Sequence, residues 1–99
     1  MKLVFDDQAL ADIDDIYSWI SQDNPSAAKT VVERLFGSIE SLIDFPLMGH
    51  VGREPETFEW VVPRLPYVVV YEVDQVAEQV LVTAVFHGAQ DRGGGPDRS

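Results

Sequence analysis

The sequence predicts an α+β domain, in which an N-terminal strand and an antiparallel two-helix hairpin pack on a small antiparallel β-sheet. Three observations carry this reading. Apolar residues recur at helical spacing in two segments, the first ending near Ser21 and the second near Asp44. The intervening Gln22-Asp23-Asn24-Pro25-Ser26 breaks helix and fits a short hairpin connection. From Phe58 onward the pattern becomes that of strands, strongest in Tyr67 to Val73 and in Val80 to His87.

Lys2 to Phe5 is short, apolar and rich in β-branched or aromatic side chains, which predicts the first strand. Asp6 or Asp7 can cap the helix behind it, and both acids suit the positive end of the helix dipole. Leu10, Ile13, Ile16, Tyr17 and Ile20 form one face of that helix, with Asp12, Asp14, Asp15 and Ser18 on the other. Asn24 is a good N-cap for the second helix, and Pro25 suits its first position, where no partner is needed for the missing N–H. Ala28, Val31, Val32, Leu35, Ile39, Leu42 and Ile43 then share a face, with Phe36 at its margin, until Pro46 and Gly49 end the helix.

Phe58 to Pro63 reads as a strand. Pro63 and Pro66 around Arg64-Leu65 suggest an edge or a bulged crossover there. The two strong strands are apolar on both faces at their centres, as central strands are, and their short polar connection makes them antiparallel neighbours. The expected domain spans residues 1–91. The expected tail, 92–99, holds three glycines and a proline and is read as disordered.

The chain has 99 residues, enough for one modest core, and no apolar run long enough to span a membrane. Its first residues lack the apolar core of a signal peptide, so the expected location is cytoplasmic. The absence of cysteine excludes disulfides and thiolate metal sites. The 17 acidic and 7 basic residues give a net charge of −10. That charge disfavours non-specific nucleic-acid binding and favours a basic partner or partner segment, unless it serves only solubility.

Several strings, in order, resemble the RelE/ParE toxin superfamily. They are Lys2-Leu3-Val4-Phe5, Ala9-Leu10-Ala11-Asp12-Ile13-Asp14-Asp15-Ile16, Asp23-Asn24-Pro25-Ser26-Ala27-Ala28, and Leu42-Ile43-Asp44-Phe45-Pro46-Leu47-Met48-Gly49. Two more follow, Val61-Val62-Pro63-Arg64-Leu65-Pro66-Tyr67-Val68-Val69-Val70-Tyr71 and Val85-Phe86-His87-Gly88-Ala89-Gln90-Asp91. The resemblance implies a toxin of a type II toxin–antitoxin system, neutralised by a cognate antitoxin that is expected to be ParD-like with a ribbon-helix-helix fold. The long helical hairpin is more similar to the ParE branch, whose members poison DNA gyrase. The RelE branch cleaves messenger RNA on the ribosome. A member that has lost toxicity and acts only as an antitoxin-binding module is the third possibility.

Metal-independent RNA cleavage needs a base, an acid and cations around the phosphorane. The positions that the resemblance implies for these roles are Arg64, His87 and Arg53, with Tyr71 a weaker candidate. Arg64 sits on a proline-stiffened backbone that could aim its guanidinium, or it could pair with Glu59 or Glu72. His87 alternates with Val85, Thr83 and Leu81 toward the sheet edge and offers an imidazole for proton transfer. Arg53 lies in a glycine-containing loop three residues after His50, which could pair with it. Against a nuclease, the chain has only two lysines, Lys2 and Lys29, neither near these positions, and no aromatic residue after Asp91 to stack on a base. No cofactor is expected, and the two isolated histidines do not predict a metal site. Antitoxins of this superfamily wrap the toxin with an extended segment. Trp19, Phe36, Phe58 and Trp60 are the expected docking points, unless they are core.

Overall fold

A computed structural model of the chain describes residues 1–89. The expected tail, 92–99, lies outside the described residues. Strand β1 (Lys2–Phe5) leads into helix α1 (Asp7–Ser21), and α2 (Pro25–Asp44) returns along it. Four strands follow: β2 (His50–Val51), β3 (Phe58–Val61), β4 (Tyr67–Asp74) and β5 (Gln79–His87). They form one sheet in the order β1-β5-β4-β3-β2. The predicted hairpin and meander are both present.

Local chemistry explains the boundaries. The Asn24 side chain accepts the Ala27 N–H at 3.0 Å, and Pro25 opens α2. Asp6 stands at the N-cap of α1 without a side-chain hydrogen bond, so its contribution is the dipole. The strands β2 to β5 are a true antiparallel meander, with β4 and β5 inside the sheet as their apolar centres require. The N-terminal strand joins the same sheet in parallel beside β5, pairing Lys2 with Gln79 through Phe5 with Val82. The helical hairpin between β1 and the meander supplies the long crossover that a parallel neighbour needs.

Two details of the strands depart from the sequence expectation. The segment 62–66 is a tight hairpin turn rather than a bulged crossover. Leu65 N–H donates to Val62 O, Pro63 supplies the first turn residue, and Arg64 adopts φ 68° at the second. The bulge lies in β5 instead. Val70 faces Ala84 while Tyr71 faces Val82, which leaves Thr83 as the extra residue. The bulge resets the alternation, so Val80, Val82 and Val85 all join the core. His87 is therefore in phase with Val85 and Val82, and not with Thr83 and Leu81 as simple alternation predicted.

The core lies between the helices and one sheet face, around Ala9, Ile13, Leu35, Ile39, Leu42, Val69 and Tyr71. Leu10 and Tyr17, assigned by periodicity to the buried face of α1, are instead 46% and 41% exposed. Together with Ile13, Val32 and Phe36 they line an outer groove of 490 Å³ between the helices.

Candidate functional site

Strand β1 accompanies β5 only as far as Val82, so the last five residues of β5 have β4 on one side and α1 on the other. This arrangement creates a problem and solves it. The Val85 N–H, deprived of a strand partner, donates to Asp12 Oδ2 at 2.9 Å across 73 residues of sequence. The other oxygen, Oδ1, accepts from Gln8 Nε2 at 2.8 Å. Asp12 thus substitutes for the missing strand and ties α1 to the sheet edge.

Beside this contact opens a cleft of 730 Å³. One wall is the α1 stripe Gln8, Asp12, Asp15 and Trp19; the other includes Tyr67, Phe86 and His87. The stripe is displaced by one residue from the buried Ala9 and Ile13, a rotation of about 100° on a helix of 3.6 residues per turn. It therefore borders the core without entering it. Tyr67 and His87 are register partners whose rings meet edge to face at 5.5 Å. His87 Nδ1 accepts the Ala89 N–H at 3.0 Å, which leaves the proton of a neutral ring on Nε2. Burial raises the Tyr67 hydroxyl above its ordinary pKa, so it stays protonated through the neutral range.

The three positions considered for RNA chemistry are not brought together. Arg64 lies in the turn before β4, at the end of the sheet where His87 and Tyr67 stand. Its guanidinium makes no ion pair with Glu59 or Glu72. Arg53 lies at the opposite end of β3, where its N–H donates to Glu59 Oε2 at 3.3 Å and the neighbouring Gly52 N–H reaches Thr57 O. The four residues of β3 between those ends correspond to about 13 Å at 3.3 Å per residue. Tyr71 is buried, stacks on Phe58 at 5.5 Å and accepts the Gly49 N–H at 3.0 Å, which is a structural placement. Among the described residues no group of three His, Asp or Glu side chains gathers as a metal site would require.

The four apolar candidates separate in the same way. Trp19 is 73% exposed and stands in the cleft. Phe36 packs edge to face on Phe5 at 5.5 Å and lines the outer helical groove. Phe58 and Trp60 are half-buried against the core, opposite Tyr71 and Val69. Sequence reasoning missed Asp12, Asp15, Gln8 and Tyr67 as members of the cleft. The available signal was that Gln8, Asp12, Asp15 and Trp19 share one helical stripe.

Over residues 3–92 the chain matches the family described as the ParE toxin of the type II toxin–antitoxin system parDE. It is 32% identical over 83 residues to Y4kP of Sinorhizobium fredii, named as a candidate toxin, an alignment covering 84% of this chain and 83% of that protein. Its fold is similar to a chain of a chromosomal ParDE system from P. aeruginosa, with a TM-score of 0.77 and 19% identity over 88% of this chain and 95% of the other. The isolated E. coli RelE toxin aligns with a TM-score of 0.64 and 20% identity, over 92% of this chain and 87% of that one. A chain of the RelBE2 toxin–antitoxin complex of Mycobacterium tuberculosis aligns at 0.58 with 26% identity, covering 90% and 92%.

Proposed function

Since the chain belongs to the ParE toxin family of type II toxin–antitoxin systems, we propose that it arrests growth by binding DNA gyrase and is held inactive by a cognate, ParD-like antitoxin. The observation that carries the gyrase reading is the separation of the cationic candidates. Arg53 and Arg64 stand at opposite ends of β3, so among the described residues these two do not form a cationic pair around one phosphate, as metal-free RNA cleavage requires. The net charge of −10 also opposes docking on ribosomal RNA, and it suits a partner with basic segments. The antitoxin part draws on the solved relatives, which include the intact E. coli RelBE complex. Trp19 in the cleft, Phe36 in the outer groove, and the half-buried Phe58 and Trp60 on β3 are the docking points under this reading.

The test pairs two assays on the purified chain. Supercoiling by gyrase is expected to stop as the chain is added and to recover with antitoxin. Primer extension on translated messenger RNA is expected to show no new ends. If messenger RNA is cut and Arg64→Ala abolishes the cutting, the chain is a ribosome-dependent nuclease acting from the Arg64, Tyr67 and His87 end of the sheet. No helix among the described residues is long and apolar enough to cross a membrane, and none is needed for either activity.

A further inference from the structure

The cleft between α1 and the end of β5 has walls of two kinds. Asp15 and Trp19 are four residues apart on α1, which sets their Cβ atoms about 5–6 Å apart on one helical face. Both oxygens of Asp12 are engaged, by Gln8 and by Val85. Asp15 receives no hydrogen bond or ion pair from the described residues. Trp19 leaves 73% of its surface open, an unusual state for the largest apolar side chain. The opposite wall carries the Tyr67–His87 edge-to-face pair. Among the described residues neither Lys nor Arg lines the cleft. A carboxylate without a partner among the described residues, beside a largely exposed indole, is complementary to a cation with a flat face.

We propose that this cleft receives one arginine side chain of the antitoxin, its guanidinium stacked on Trp19 and its donors reaching Asp15. The proposal rests on the reading of the chain as an antitoxin-neutralised toxin and names the chemistry of one anchor. Arginine fits better than lysine. Its planar fork can stack on an indole and present paired N–H groups to a carboxylate at once, whereas an ammonium is a compact, strongly hydrated charge. An extended, basic antitoxin segment crossing the acidic α1 would thereby fix its register at a single residue.

The first arm of the test needs no antitoxin. The full ¹⁵N-labelled chain is titrated with N-acetyl-arginine amide and, separately, with N-acetyl-norleucine amide, following the Trp19 indole and the amides of residues 12–19 and 84–87 by NMR. Saturable shifts at these positions with the arginine compound alone are expected, weakened about tenfold by Asp15→Asn or Trp19→Ala and unchanged by Asp44→Asn. Equal shifts with norleucine, absence of saturation, or indifference to Asp15→Asn overturns the cation site. The second arm measures affinity for the antitoxin encoded beside the chain. Asp15→Asn with Trp19→Ala is expected to weaken it by at least about tenfold, with unchanged melting of the free chain, since both side chains point to solvent. Full affinity in the double variant refutes the anchor and leaves the toxin assignment standing. The lack of any complex with the unaltered chain refutes the antitoxin reading itself.

Discussion

Asp12→Ala removes the side chain that stands in for a strand partner at the Val85 N–H of β5. The alanine leaves the Val85 N–H, part-buried and 2.9 Å from the lost oxygen, without its acceptor, and frees Gln8 as well. The Gln8 contact is exposed and contributes little. A hydrogen bond to a charged group is worth about 1.5–3 kcal/mol, and an orphaned buried donor costs about 1–3 kcal/mol, two descriptions of largely the same loss. The expected destabilisation is therefore about 2 kcal/mol. For a domain of this size each kcal/mol lowers Tm by roughly 4–8 °C, so a drop on the order of 10 °C is expected. Asp12→Asn keeps an acceptor oxygen and should lose less than half as much. Urea denaturation gives the stability, with an unchanged slope expected because the folded contacts elsewhere persist. Hydrogen exchange at the Val85 amide gives the local effect, which should be faster in Asp12→Ala and near normal in Asp12→Asn. A loss under about 0.5 kcal/mol with unchanged Val85 protection would refute the strand-replacement argument.

Further outcomes follow from the same geometry. Gly49→Ala would bring a Cβ within 2.7 Å of Glu59 O and 2.8 Å of the Tyr71 hydroxyl; a cost of about 1–3 kcal/mol is expected by thermal melting. Tyr71→Phe keeps the buried ring on Phe58 but orphans the Gly49 N–H, so about 1–2 kcal/mol should be lost, far less than for Tyr71→Ala. Removing the α2 cap by Asn24→Ala is expected to cost about 1 kcal/mol, with Asn24→Ser close to neutral. Burial raises Tyr67 and Tyr71 in the folded state, and for Tyr71 it outweighs the opposing Gly49 hydrogen bond. The native state thus holds these protons more tightly than the unfolded chain. The stabilisation is complete below the ordinary tyrosine value near 10 and is lost as pH rises through the raised values, by at most about 1.4 kcal/mol per pH unit for each tyrosine. Urea midpoints between pH 9 and pH 12 check this; Tyr71→Phe should flatten the decline.

The elements with strong periodicity were readable because local and tertiary preferences agree. Helix α2 has its cap, its first-position proline and its apolar face in the residues 24–44, and β4 and β5 are apolar enough to demand the sheet interior. Strand β2 was not legible, since His50–Val51 is two exposed residues held by pairing with β3 and carries no pattern. The bulge at Thr83 was hidden for a related reason. Period-two alternation assumes an unbroken ladder, and nothing local marks where the extra residue enters. The helical wall of the cleft was half visible in Trp19. Its acidic members were not, because an aspartate serving as a strand substitute for Val85 looks, within α1 alone, like any solvated residue. The separation of Arg53 from Arg64 depends on strand register, which sequence spacing does not convey.

The central claim is that the chain is a growth-arresting toxin kept in check by a partner protein. Its most direct test is the growth of a bacterium in which the chain is induced alone, and then together with the short reading frame encoded beside it. The account predicts arrest with the chain alone, relief with the pair, and recovery of the two proteins as one complex. Unimpeded growth despite abundant folded chain, with no complex formed by the product of either neighbouring frame, would contradict it.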